Sequence, residues 1–173
     1  MLVKLIGGAF VIAASSGLGI SMADQWKKHL ELLEQLRRMI FLLKGEILYA
    51  NSPLEEAFER VGKKSGGVMG TFFCSVAERI RNQSGEPFFT MWKEEIEALD
   101  RSVPLSGEDR QSLAGFGEHL GYLDSEMQER TILLYLEQMD LTIAYLREHQ
   151  REKSRLYTSL GIMGGLFLTI VMY

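Results

Sequence analysis

Cysteine is all but absent: Cys74 stands alone, which excludes an intrachain disulfide or a cysteine cluster and makes a small buried hydrophobe the reading of that position. Histidine is nearly as scarce. His29, His119 and His149 fall in unrelated stretches, with no HExxH, CxxC or grouped carboxylate and histidine spacing, so neither a metal centre nor an acid–base pair is predicted. No GxSxG elbow occurs. The glycines at 62, 66, 67 and 70 are not followed by GK[ST] or preceded by a strand pattern, and they read as a loop between helices rather than a phosphate cradle. These absences predict a protein that is not an enzyme and needs no cofactor or metal.

Charge is missing from both ends. Leu5 to Ala23 and Leu156 to Tyr173 contain no charged residue, and each run approaches the roughly 20 residues that cross a hydrocarbon core of about 30 Å. The expected organisation is a membrane anchor over 1–23, a helical domain over 24–155 and a second anchor over 156–173. Basic residues near an anchor tend to stay cytoplasmic. Only Lys4 precedes the first anchor, whereas Lys27, Lys28, Arg37 and Arg38 follow it, and Arg147, Arg151, Lys153 and Arg155 precede the second. Both ends therefore predict a cytoplasmic middle with both termini outside. A cleaved export signal is the rival reading, since Ser21-Met22-Ala23 offers small residues before Asp24. The basic excess on the downstream side opposes it.

All acidic residues, and all basic ones except Lys4, lie between Asp24 and Arg155, so the middle is one unit more negative than the −4 of the whole chain. That balance excludes nucleic-acid binding by bulk charge. The basic rims, Lys27, Lys28, Arg147, Arg151, Lys153 and Arg155, suit anionic lipid headgroups.

The middle has helical spacing and almost no strand alternation. Trp26, Leu30, Leu33, Leu36, Ile40, Leu43 and Ile47 recur every three or four residues, an apolar stripe on a helix that continues out of the first anchor. Ser52-Pro53-Leu54-Glu55 has the form of a capping box opening a second helix, with Leu54, Ala57, Phe58 and Val61 inward. A third is expected from about Val68 to Asn82 (Phe72, Phe73, Val76, Ala77, Ile80). A fourth runs from about Pro87 to Arg101 (Phe88, Met91, Trp92, Ile96, Leu99). A fifth is capped at Ser106-Gly107-Glu108-Asp109 (Leu113, Phe116, Leu120, Leu123). The last starts at Asp124 or Ser125, where Ser125 and Gln128 resemble another box, and carries Ile132, Leu136, Met139, Ile143 and Leu146 toward the second anchor. The prediction is an all-α six-helix bundle whose first and last helices pair antiparallel and extend as transmembrane segments.

Within lipid, small residues let helix backbones approach. Ala9, Ala13, Gly17 and Ser21 lie four apart on one face of the first anchor, and Gly161 and Gly165 form a GxxxG in the second, marking candidate helix-packing positions. Glu94, Glu95, Glu97 and Asp100 form an acidic run, a candidate face for a basic partner beside the plainer reading of a solvated helix surface.

The layout resembles the stage III sporulation protein AB family of endospore-forming bacteria. The likeness is carried by Met1-Leu2-Val3-Lys4-Leu5-Ile6-Gly7, Leu36-Arg37-Arg38-Met39, Leu43-Lys44-Gly45-Glu46-Ile47-Leu48-Tyr49 and Pro53-Leu54-Glu55-Glu56-Ala57-Phe58. Gly117-Glu118-His119-Leu120-Gly121 with Asp124 and Gln128, Leu156-Tyr157-Thr158-Ser159-Leu160-Gly161 and Gly164-Gly165-Leu166 complete it. That family is similar to one cytoplasmic domain of GspF-type secretion platform proteins. The resemblance implies a compact six-helix domain in the mother-cell membrane, in a secretion-like complex joining mother cell and forespore. A cytoplasmic ATPase and other membrane components of the stage III sporulation complex would be its partners. The chain has one such domain and two anchors where platform proteins have two and three. Self-association stays open, and an adaptor binding a cytoplasmic partner through its acidic helices is the alternative function.

Overall fold

The computed structural model describes the backbone of residues 2–82, 85–121 and 125–172; at the two ends the only side chains among the described residues are those of Gly17, Ser21, Met22, Leu156, Ser159 and Met163. Among the described residues there are six helices and no strand: α1 (Leu2–Leu48), α2 (Leu54–Ser65), α3 (Gly67–Asn82), α4 (Phe88–Ala98), α5 (Gly107–Leu120) and α6 (Ser125–Met172). The all-helical class and the element order are as the sequence predicts. Among the described residues no helix is long and apolar enough to cross a membrane; most side chains of both uncharged ends lie outside them. Two compact units divide the chain, one of Met1–Leu30 with Ala144–Tyr173, the other Glu31–Ile143.

In the larger unit most of the predicted stripes form the core, with Leu54, Ile80, Phe88 and Leu99 only half-buried. Leu33, Leu36, Ile40, Leu43 and Ile47 of α1 are buried, as are Ile132, Leu136, Met139 and Ile143 of α6. Met39 and Tyr135, outside the predicted stripes, are buried with them. Five helices meet in a cluster of rings around Trp92, which is 0% exposed. Its ring centroid lies 5.6 Å from that of Phe58, 5.0 Å from Phe72, 5.7 Å from Phe88 and 6.0 Å from Phe116, and Phe116 stacks at 4.6 Å on Tyr135. Edge and offset contacts of this kind add to the area that the rings bury. The indole Nε1 donates to the Leu113 carbonyl at 2.7 Å, satisfying the one polar atom of that ring.

Trp92 fits because position 117 has no side chain: a Cβ there would stand 2.5 Å from its Cγ. A second close approach joins α2 and α3. The glycines at 62 and 70 are not loop residues, as the sequence reading had them, but helical and buried. A Cβ on Gly70 would sit 2.7 Å from the Gly62 carbonyl oxygen. Gly66 and Gly67, at φ 61° and 64°, form the turn between them, held by the Gln35 amide of α1, which donates to the Gly66 carbonyl at 3.1 Å. Because backbone cannot swing aside as a side chain can, Gly70→Ala is expected to destabilise the protein by roughly 1–3 kcal/mol. Urea denaturation followed by circular dichroism checks this; no loss of stability would mean that the α2–α3 spacing is relaxed.

Three local expectations need correction. The Ser52 to Glu55 capping box does not form. Pro53 is the N-cap, no side chain caps α2, and the Ser52 hydroxyl instead donates to Glu46 at 3.1 Å. Asn51, at φ 53°, turns the chain first, and Arg60 reaches back to Glu46 at 3.1 Å. Helix α4 stops at Ala98, short of Arg101, since the Arg110 guanidinium donates to the carbonyls of Ile96, Leu99 and Asp100 at 3.1, 3.3 and 2.9 Å. Of these oxygens, that of Ile96 is the one a helix continued to Arg101 would offer to the Asp100 amide, and those of Leu99 and Asp100 lie beyond the helix end, where they need partners from elsewhere. Cys74 is half-buried rather than buried. The box at Ser106 and Asp109, by contrast, is complete.

The smaller unit holds the Lys28–Asp24 ion pair at 3.1 Å, buried Leu30 and Leu146 and the Tyr145 and His149 rings 4.2 Å apart.

Candidate interaction surfaces

The core leaves a second apolar face unused. On an α-helix, at about 100° per residue, Leu134 and Leu141 fall almost opposite the Ile132, Leu136 and Ile143 stripe. They are 60% and 69% exposed, and Leu133 beside them is 45% exposed. In the larger unit Leu133 and Leu141 of α6 meet Phe41 of α1, 52% exposed, in a groove lined by Arg37, Phe41, Lys44, Leu133, Leu136, Glu137, Asp140 and Leu141, with a volume of about 450 Å³. The Arg37 guanidinium grips the Asp140 carboxylate with two bonds, 2.6 and 2.9 Å long, and fixes the antiparallel register of the two helices. The Lys44 ammonium lies 5.2 Å from the Phe41 ring centroid. Basic residues border the groove on the α1 side and acidic ones on the α6 side. The sequence carried a signal for this face that the stripe reading passed over: α6 has more apolar residues than one stripe can hold.

A smaller cavity of about 120 Å³ opens among Leu33, Glu108, Asp109, Ser112, Tyr135, Gln138, Met139 and Thr142. Burial pushes the Tyr135 hydroxyl well above its ordinary pKa, aided by the charge of Asp109 and opposed by a hydrogen bond with Ser112. Asp109 is already engaged in the Ser106 cap, so the cavity reads as packing rather than chemistry. Among the described residues no group of His, Cys, Asp and Glu is arranged to hold a metal ion.

The acidic run on α4 is largely occupied. Glu94 and Glu95 pair with Arg79 of α3 at 2.6 and 3.3 Å, Glu97 faces Lys93 at 3.9 Å, and Asp100 accepts from the Ser102 amide at 2.7 Å, which with the Ser102 hydroxyl holds its carboxyl below the usual range. Arg79 also lies 3.7 Å from Glu86, so Glu86, Glu94 and Glu95 clamp α4 to α3 across their connection.

A similar clamp joins α2 and α3. Glu59 accepts from Lys63 at 2.5 Å and also from Arg81, and these bonds, Lys63 first, lower its pKa. A depressed folded-state pKa stabilises the fold above the ordinary glutamate value and stops doing so as pH falls through the lowered one. The stability difference between wild type and Glu59→Gln is therefore expected to be constant at neutral pH and to shrink in acid, as thermal melts across pH would report. A difference that grows in acid would contradict the pairing. The pair is solvent-exposed, so the effect is small.

Of the predicted membrane-side residues, Gly17 and Ser21 are exposed, and a Cβ on Gly17 would meet nothing within 4 Å. Lys27, Lys28 and Arg147 are also exposed. Ala9, Ala13, Arg151, Lys153, Arg155, Gly161 and Gly165 lie outside the described residues, as does Leu123.

The model of the family described as stage III sporulation protein AB matches residues 4–173. The chain belongs to the stage III sporulation protein AB family. A relative in Bacillus subtilis (strain 168) named stage III sporulation protein AB is 25% identical over 171 residues, 99% of each chain. A solved structure titled "Stage III sporulation protein AB (SpoIIIAB)" superposes with a TM-score of 0.66, covering 72% of this chain and 98% of its own at 23% identity; it speaks for the fold. Segments that carried the family resemblance have physical tasks here. Gly117 and Gly121 lie against Trp92 and Phe88, Gln128 donates to the Leu120 carbonyl at the end of α5 at 3.0 Å, and Glu46 anchors Arg60 and Ser52.

Proposed function

We propose that this member of the stage III sporulation protein AB family is a non-enzymatic membrane scaffold of a secretion-like channel between mother cell and forespore, and the platform on which a cytoplasmic ATPase works. The observation that carries the reading is the charge pattern of the ends: two uncharged runs with basic residues gathered on their inner flanks, the pattern of anchors with a cytoplasmic middle. Family membership over residues 4–173 supports the setting in sporulation. In this reading α1 and α6 continue into the membrane as transmembrane helices that pack through Ala9, Ala13, Gly17, Ser21, Gly161 and Gly165. Lys27, Lys28, Arg147, Arg151, Lys153 and Arg155 then lie at the headgroups, and residues 24–155 meet the ATPase and the other membrane components of the complex. The adaptor alternative draws less support, because a basic partner docking on Glu94 and Glu95 would have to displace Arg79.

Crosslinking in sporulating cells tests the proposal. Photoreactive residues placed on exposed positions of α2 to α5 are expected to capture the sporulation ATPase from the cytoplasm. Failure of every such position to do so, with the protein present at its normal level in the membrane, would overturn the platform role.

A further inference from the structure

We infer that the α1–α6 groove is the seat of a second copy of this chain, arranged about a two-fold axis. This goes beyond the scaffold reading and holds whether or not an ATPase docks elsewhere. Three observations converge. The first is apolar surface left open on a folded unit: Phe41, Leu133 and Leu141 stand 45–69% exposed around the groove, while the core is completed by another face of the same helix. Contiguous apolar surface of this kind marks an interaction site. The second is span, since Leu133 and Leu141 lie eight residues apart on α6, about 12 Å of helix, so the apolar lining of the groove runs for two turns rather than standing as one exposed side chain.

The third chooses the occupant. The groove has Arg37 and Lys44 on its α1 side and Glu137 and Asp140 on its α6 side. A two-fold contact brings each surface against its own copy, so a charged rim suits it only when both signs are present, placed so that one side of a copy meets the other side of its mate. This groove meets that requirement. Arg37 and Asp140 already satisfy each other within the chain, which leaves Lys44 of one copy to face Glu137 of the other around a centre of Leu133, Leu141 and Phe41. A uniformly basic or acidic partner would find one side of the groove repulsive.

The test uses the full-length protein in detergent or nanodiscs, with mass measured by light scattering across a concentration series. The wild type is expected to form a dimer. Leu141→Glu, at a solvent-exposed position, is expected to weaken it by about thirtyfold or more, the effect of losing a central interface anchor, with an unchanged thermal melt. Lys44→Glu and Glu137→Lys should each weaken the dimer, and the double variant Lys44→Glu/Glu137→Lys should restore it. In a Cys74→Ser background, a Lys44→Cys copy coexpressed with a Glu137→Cys copy should yield a disulfide-linked dimer. A monomer at all concentrations overturns the inference. So does a dimer indifferent to Leu141→Glu, failure of the charge exchange to restore association, or crosslinking of the groove to a different protein only.

Discussion

Replacing Trp92 with alanine is expected to lower the unfolding free energy by about 3–5 kcal/mol, the cost of emptying a large aromatic site that its neighbours cannot fill. Trp92 has no exposed surface, and its ring stands among rings from α2, α3 and α5. Removal takes contacts from every one of those elements at once. The loss should be smaller for Trp92→Phe, which keeps a ring but gives up the bond to the Leu113 carbonyl. Denaturant titration followed by far-ultraviolet circular dichroism measures both. If Trp92→Ala melts like the wild type, the ring cluster is not the centre of the fold. A folding loss of this size would also leave little protein in cells, without touching any partner surface.

The second large effect comes from the residue that makes room for that indole. Gly117→Leu is expected to cost at least about 3 kcal/mol or to prevent folding, because its first side-chain carbon would lie 2.5 Å from Trp92 Cγ, and both groups are enclosed. The two positions share one volume, so their effects should not add. In a Trp92→Ala background the Gly117→Leu side chain enters the space that the indole vacated, and the double variant should be more stable than the sum of the single losses predicts. Strict additivity, measured by the same denaturant titration, would show that the two sites do not touch.

These pairings show what the sequence could and could not disclose. Single-helix facts were legible: the stripes of α1 and α6 became core, and Ser106 with Asp109 became a cap, because each depends on spacing along one segment. Facts between helices were not. Nothing in the order of residues says that Gly117 belongs opposite Trp92, that Gly62 and Gly70 mark a crossing, or that Arg79 on α3 will engage Glu94 and Glu95 on α4. The Ser52 box failed for a related reason: a hydroxyl that suits a cap locally was taken by Glu46 of the preceding helix. Part of the candidate surface was legible as a surplus. Leu133, Leu134 and Leu141 do not fit the inward stripe of α6, but the contribution of Phe41 depends on how α1 and α6 are registered, and Arg37 with Asp140 sets that register.

The account rests on the two uncharged ends being anchors around a cytoplasmic middle. The most direct test is a pair of reporters fused after Tyr173, one active only in the cytoplasm and one active only outside it. The scaffold reading predicts that the external reporter is active and the cytoplasmic one silent. A cytoplasmic signal from Tyr173, with the external reporter dead, would contradict the orientation and the platform role built on it.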